Sequence, residues 1–269
     1  MKKITKSFVQ NIMNTRGIIE DEQFYILKNL DLAVETGKIT ALIGGNGVGK
    51  TTLFNIISGF WPPDSGEIVF YRNGKATNLL RLPPDRITRM GIGRMFQDDH
   101  IFKELTVLEN MLIADKDHFG ETPFVSIFKR KKDHSSEAQR VEKAKVVFQD
   151  LFGSSNPFWE KRNDPARTLS FGQQRLLGLT RLLMGNYNLV LLDEPTAGVN
   201  PTIIDKIAAI IHKMVEEEEI TVFLIEHNMN FVKKVSHYCA FLGDKNIVKY
   251  GNPKDVLADE KVRRIYLGA

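Results

Sequence analysis

Gly44-Gly45-Asn46-Gly47-Val48-Gly49-Lys50-Thr51-Thr52 fits the pattern G-x-x-x-x-G-K-[ST], and the residues on either side complete it. Ile39-Thr40-Ala41-Leu42-Ile43 precedes it as a short apolar strand. Leu53-Phe54-Asn55-Ile56-Ile57 follows with apolar residues at helical spacing. Strand, glycine loop and helix together make a phosphate cradle. Glycines let backbone N–H groups curl around an anion, and the helix N-terminus adds the positive end of its dipole. In such a loop Lys50 reaches the β- and γ-phosphates and the Thr51 hydroxyl ligates Mg²⁺. The stretch therefore predicts a binder of nucleoside triphosphate with Mg²⁺.

Working outward, the N-terminal quarter reads as short strands at Phe24 to Leu27, Leu30 to Val34, Ile39 to Ile43 and Glu67 to Tyr71. The cluster Trp61-Pro62-Pro63-Asp64-Ser65-Gly66 ends the helix after the loop. Residues 98–168 differ in character: they are charged and helix-rich, with breaks near Gly120 to Pro123 and Gly153 to Pro157. The α/β pattern returns at Leu169. Leu189-Val190-Leu191-Leu192 and Thr221-Val222-Phe223-Leu224-Ile225 read as strands buried on both faces, as in a parallel sheet. Residues 201–215 carry isoleucines and Met214 at helical period. The simplest organisation is an α/β nucleotide-binding core, residues 1–97 and 169–269, interrupted by a helical insertion at 98–168.

Composition narrows the class. A net charge of +4 is a mild excess that does not by itself indicate nucleic acid. The basic run Lys129 to Lys132 and the acidic run Glu216 to Glu219 read as solvated segments. The single cysteine, Cys239, lies in an apolar stretch and reads as a small buried hydrophobe, which suits a reducing compartment. Lys2 and Lys3 are not followed by the apolar run of a signal peptide, and no stretch approaches the length of a membrane span. The expected location is the cytoplasm.

Leu189 to Leu192 ends in Asp193-Glu194. A carboxylate at the C-terminal end of a parallel strand lies beside the phosphate loop, where Mg²⁺ needs a ligand. Asp193 is the candidate ligand, and Glu194 the candidate to orient or deprotonate an attacking water.

Between these acids and residue 168 stands Leu169-Ser170-Phe171-Gly172-Gln173-Gln174-Arg175, which resembles the L-S-G-G-Q signature of ABC-type ATPases. Other motifs of that family follow in order: Gln97 in Met95-Phe96-Gln97 (Q-loop), Asn200 in Ala197-Gly198-Val199-Asn200 (D-loop) and His227 in Ile225-Glu226-His227 (switch histidine). The resemblance runs from about residue 24 to the end. It implies the ABC ATPase fold: an α/β, RecA-like P-loop NTPase core with an antiparallel β subdomain and an inserted α-helical subdomain.

It also implies a head-to-tail pair of cassettes, identical or paralogous, with ATP sandwiched between the loop of one copy and Ser170, Gly172 and Gln173 of the other. His227 would hold the γ-phosphate and Gln97 would sense Mg²⁺. Phe24 or Tyr25 would stack on adenine. Three residues depart from the family's usual form: Gly45 stands for proline, Phe171 for the first signature glycine, and Asn200 for the D-loop aspartate.

One cassette without a membrane segment resembles the separate ATPase subunit of a multi-subunit transporter. That implies permease subunits as partners, a substrate-binding protein in an uptake system, no nucleic acid, and a place on the inner face of the cell membrane. The segment from about Asp117 to Arg140, with Ala197 to Pro201 and the ending Ile265 to Ala269, is most similar to the branched-chain amino acid and urea uptake subfamily. Phe124, Ile127 and Phe128 would touch a permease or lipid, or pack within the helical arm. The rival reading is a soluble ABC ATPase acting mechanically on ribosomes or nucleic acid. Such relatives usually carry two cassettes or long coiled-coil insertions, and this chain has neither. A small-molecule kinase or GTPase has no use for the Ser170 to Gln173 signature.

Overall fold

The computed structural model describes residues 1–13, 19–96, 101–115, 133–153 and 156–267. Chain order is β1 (Lys2–Met13), β2 (Ile19–Leu30), β3 (Ile39–Ile43), α1 (Lys50–Ile57), β4 (Ser65–Glu67), β5 (Val69–Arg72), β6 (Lys75–Asn78), α2 (Pro84–Arg89), β7 (Ile92–Met95) and α3 (Val107–Leu112). Then come α4 (Asp133–Phe152), α5 (Pro157–Glu160), α6 (Phe171–Met184), β8 (Leu189–Asp193), α7 (Pro201–Glu216), β9 (Thr221–Ile225), α8 (Met229–Val235), β10 (Tyr238–Gly243), β11 (Asn246–Gly251), α9 (Pro253–Ala258) and α10 (Glu260–Leu267).

The central sheet runs β11-β10-β3-β9-β8-β7. All neighbouring pairs from β10 to β7 are parallel, and β11 closes the edge antiparallel to β10. The apolar runs are explained by two cores. Ile39, Ala41 and Ile43, Val190 and Leu192, Val222 and Leu224 feed one core with α6, α7 and α8. Leu42, Leu191, Phe223 and Ile225 feed the other with α1, β1 and β2. Alternate residues of one strand point to opposite faces, so a sheet covered on both sides needs no polar positions.

A second sheet, β2-β1-β4, is antiparallel, and β5 pairs with β6 as a hairpin. Several strand boundaries differ from the expectation. Residues 31–35 are not a strand, because β2 ends at Leu30 after pairing with β1 through Ile4. The expected strand from Glu67 to Tyr71 is two, β4 and β5, which join different sheets. The loop helix stops at Ile57, and Ser65 and Gly66 already belong to β4. Strands β1 and β7 were not foreseen: β1 carries charges between its apolar residues, and β7 spans four residues.

Between residues 98 and 168 the described elements are helical. Ala144 and Phe148 of α4 and Phe158 of α5 share a core with Leu176 and Leu179 of α6. Cys239 is buried, and burial pushes its thiol up to about 12. Lys129 to Lys132 and Phe124, Ile127 and Phe128 lie outside the described residues, as does most of 117–140. Glu216 to Glu219 are exposed at the end of α7.

Candidate functional site

The site lies at the C-terminal ends of β3, β8 and β9. The three strands are parallel, with β9 between the other two, so the segments that follow them emerge on one edge. From β3 comes the loop 44–49, from β8 Asp193 and Glu194, and from β9 Glu226 and His227.

The loop's glycines meet two separate demands. Gly44 passes so close to β10 that a Cβ on it would collide with the Leu242 carbonyl. Gly49 has φ +108, and a Cβ there would lie 2.6 Å from Ile26 Cγ2 and 2.9 Å from Leu27 Cδ2. Only glycine accepts that backbone against β2. Gly45, by contrast, is not left-handed, and a Cβ on it would touch only Val48 at 3.6 Å. The position therefore makes no special demand for glycine.

Lys50, the first residue of α1, is 6% exposed. Its Nζ donates to the carbonyls of Gly44 at 2.9 Å and Gly45 at 2.8 Å, so the ammonium is folded back inside the loop. Burial holds its pKa below the ordinary lysine value, with Glu194 and Asp193 pulling the other way. Asn46, Gly47 and Thr51 are exposed, and Val48 and Thr52 are half-buried at the loop's rim.

Asp193 is 1% exposed, and burial raises its pKa against the opposing pull of Arg94. Its Oδ2 lies 3.5 Å from Arg94 Nη2, while Oδ1 is buried with no hydrogen-bond partner among the described residues. A buried carboxylate oxygen left open beside the phosphate loop, within electrostatic reach of Lys50, is the donor chemistry that fits Mg²⁺ or its bound water.

Glu194 sits in left-handed backbone at φ +49, an uncommon conformation for a non-glycine residue. Its N–H donates to the Ile225 carbonyl at 3.0 Å, and its own carbonyl accepts from Ala197 N at 3.1 Å and Arg175 Nη2 at 3.3 Å. Its Oε1 lies 3.2 Å from His227 Nε2. The two groups thus meet directly, a carboxylate acceptor beside a ring nitrogen, where both can reach one water or phosphate oxygen at their common edge.

Ser170 and Gln173 cap α6 reciprocally. Ser170 Oγ accepts from Gln173 N at 3.3 Å, and Gln173 Oε1 accepts from Ser170 N at 2.9 Å. A methyl group on Gly172 would meet Ile203 Cγ1 at 2.9 Å, so this glycine is also required for α6 to pack on α7. Asn200 caps α7, its Oδ1 accepting from Ile203 N at 3.0 Å.

The two aromatic candidates separate. Phe24 is 38% exposed and its ring lies 6.1 Å from that of Phe8, which in turn contacts Trp61 at 5.4 Å. Tyr25 is half-buried beneath Lys28 Nζ at 5.5 Å. Gln97 lies outside the described residues.

Three partners were missed in the sequence. Arg94 Nη1 donates to Asn55 Oδ1 at 2.8 Å and Ser58 Oγ at 3.2 Å, and its guanidinium lies 4.4 Å from the Phe96 ring centroid. The buried carboxylate of Glu226 accepts from Thr196 N and Oγ1 at 2.9 and 2.7 Å, and from His227 N and Asn228 N at 3.0 and 3.1 Å. It ties the segment after Glu194 to the one that carries His227. Arg175 is the third. Each is a charged residue next to an apolar stretch, a position from which the sequence reads neither its burial nor its partner.

Comparison with known proteins agrees with this architecture. A family profile described as "ABC transporter" matches residues 27–197. The high-affinity branched-chain amino acid transport ATP-binding protein BraF of Pseudomonas aeruginosa is 34% identical over 242 residues, covering 90% of this chain and 91% of that one. The probable branched-chain amino acid transport ATP-binding protein LivG of Archaeoglobus fulgidus is 36% identical over 245 residues, 90% of each.

The crystal structure of the ADP conformation of MJ1267, an ATP-binding cassette of an ABC transporter, superposes with a TM-score of 0.77 at 31% identity, covering 100% of this chain and 97% of that one. The dimeric post-hydrolysis structure of the cassette MJ0796, bound to ADP and Pi, gives 0.67 at 25% identity over 94% and 97%. The fold is that of the ABC ATPases, and with this profile match and these relatives the chain belongs to the ABC transporter family.

Proposed function

We propose that this chain is the ATP-hydrolysing subunit of a branched-chain amino acid importer. As an ABC-family cassette it is an ATPase. The observation that carries the residue-level reading is the meeting, at one sheet edge, of Lys50, the open Asp193 oxygen and the Glu194–His227 pair. The relatives named for branched-chain amino acid transport support the choice of cargo over urea.

On this reading the backbone N–H groups of residues 44–52 and the Lys50 ammonium hold the triphosphate. Lys50 leaves the Gly44 and Gly45 carbonyls to do so. Thr51 and Asp193 would hold Mg²⁺, with Gln97 as a further ligand, and the ion would supply positive charge opposite the β- and γ-phosphates. Glu194 accepts the proton of the attacking water, and His227 fixes that water and the γ-phosphate from the other side. Ser170, Gly172 and Gln173 of a second copy, identical or paralogous, close the far side. Ser170 and Gln173 exchange their mutual cap for the phosphate.

Residues 1–97 and 169–269 would form the core and 98–168 the arm that meets the permease on the inner face of the membrane. A substrate-binding protein would supply the cargo. Among the described residues no helix is long and apolar enough to cross a membrane, so attachment would depend on such a partner.

The test is fractionation. The chain should sediment with membranes when its permease is co-expressed and leave them when the permease gene is deleted. Leucine uptake should fall with the Glu194→Gln variant. Copurification with ribosomes, independent of any permease, would instead support a soluble mechanical factor and overturn the transporter reading.

A further inference from the structure

Arg175 is among the largest fully buried side chains of the protein, yet it belongs to α6, whose exposed N-terminus carries Ser170 and Gly172. Its Nη2 donates to the Glu194 carbonyl at 3.3 Å. Glu194 holds left-handed backbone, so the direction of its carboxylate depends on what pins its peptide groups. One pin is the Ile225 carbonyl, at the end of the strand that leads to His227. Another is Arg175.

Phe171 stands where the family usually has glycine. The residue is 53% exposed, and the Arg175 guanidinium lies 5.9 Å from its ring centroid. The same ring covers Gly198, where an added methyl group would lie 3.2 Å from Phe171 Cε1. Phe171 therefore touches both Arg175 and the turn between Glu194 and Asn200. A glycine at 171 could make neither contact.

We propose that Arg175 and Phe171 are positioning residues that couple the signature helix of this chain to its own Glu194. This rests on the head-to-tail reading above, in which Ser170 and Gly172 face the partner's nucleotide. When that nucleotide draws on the N-terminus of α6, the displacement reaches the Glu194 carbonyl through one hydrogen bond, and the 197–199 turn through the Phe171 ring. Neither residue touches ATP. Their effect is on where the base sits, and one site is thereby informed of occupancy at the other.

The test is a double-mutant cycle in the full-length protein. Arg175→Lys keeps the cation but loses the guanidinium fork. It should lower kcat about tenfold, the scale of one charge-assisted hydrogen bond lost, with KM for ATP and ATP-driven dimerisation unchanged. In a Glu194→Gln background, where no carboxylate remains to be aimed, Arg175→Lys should cause no further loss of single-turnover hydrolysis.

Multiplicative losses in the two backgrounds, or an effect confined to KM or dimerisation, would overturn the proposal. Phe171→Ala removes a half-exposed ring; it should follow the same non-additive pattern and serves if Arg175→Lys does not fold. Normal turnover by the Glu194→Gln variant alone would be a different failure, that of the parent assignment of Glu194.

Discussion

Arg94 Nη2 lies 3.5 Å from Asp193 Oδ2, across the parallel pair β7 and β8, with both side chains withdrawn from solvent. The same guanidinium binds Asn55 and Ser58 at the end of α1, so one cation joins the strand before residue 97, the helix after the phosphate loop and the acid at the end of β8.

Removing that cation leaves a buried carboxylate without its ion-pair partner and with only the weaker pull of Lys50. Arg94→Ala should destabilise the chain by about 3–5 kcal/mol, read as a shift in the denaturant midpoint. In the double variant Arg94→Ala/Asp193→Asn the loss should be smaller than the sum of the single losses, because the charge left unpaired is gone. Additive losses would show that the pair is not coupled.

The pairing of Glu194 Oε1 with His227 Nε2 places an acceptor and a donor together. Glu194→Gln should bind ATP normally and hydrolyse it about 10²–10⁴ times more slowly, the usual range for loss of a general base. It should also accumulate as an ATP-bound dimer by size-exclusion chromatography. Phosphate release at the ordinary rate would remove Glu194 from the chemistry.

Lys50 gives a pH dependence whose sign follows from its burial. Its pKa in the free protein lies below 10.5, and a triphosphate favours the charged form. ATP affinity should therefore be flat at neutral pH and fall as pH rises through that lowered value, earlier than an ordinary lysine would allow. Calorimetry in buffers of different ionisation enthalpy should show proton uptake on binding in that alkaline window. Lys50→Arg should abolish the uptake. Lys50→Ala should weaken ATP by about 1.5–3 kcal/mol at all pH values below the window. Absence of proton uptake in the native protein would remove Lys50 from the phosphates.

Of the two aromatic candidates, Phe24 presents a partly exposed ring beside Phe8, whereas Tyr25 is half-buried with Lys28 over it. Phe24→Ala should weaken ATP by about 0.5–1.5 kcal/mol and leave inorganic phosphate binding unchanged, as loss of a stacking face predicts. Tyr25→Ala should leave ATP affinity intact. The reverse pattern in fluorescence titration with an ATP analogue would reassign the adenine platform.

The phosphate loop and the acidic strand end were legible because local geometry carries their meaning: four glycines in six residues before Lys50-Thr51, and five residues of continuous strand ending in Asp193. The isoleucine pattern of α7 was legible for the same reason. Strands β1 and β7 were not, because a strand that takes its stability from its neighbours needs no strong pattern of its own. Glu226 and Arg175 were not legible because a charged residue at the edge of an apolar run reveals neither its burial nor its partner. Thr196 and the Glu194 carbonyl were supplied by segments 30 and 19 residues away.

The sequence alone determined the kind of chemistry, since a triphosphate cradle is built from backbone conformations that only particular residues permit in particular order. Tertiary structure decided which side chains meet. The placement of β9 between β3 and β8 sets Lys50, Asp193, Glu194 and His227 on one edge, and the packing of α6 against the core brings Arg175 to the Glu194 carbonyl. Those distances arise from strand order and helix packing, which sum many weak apolar contacts across the whole chain and leave no mark at any single position.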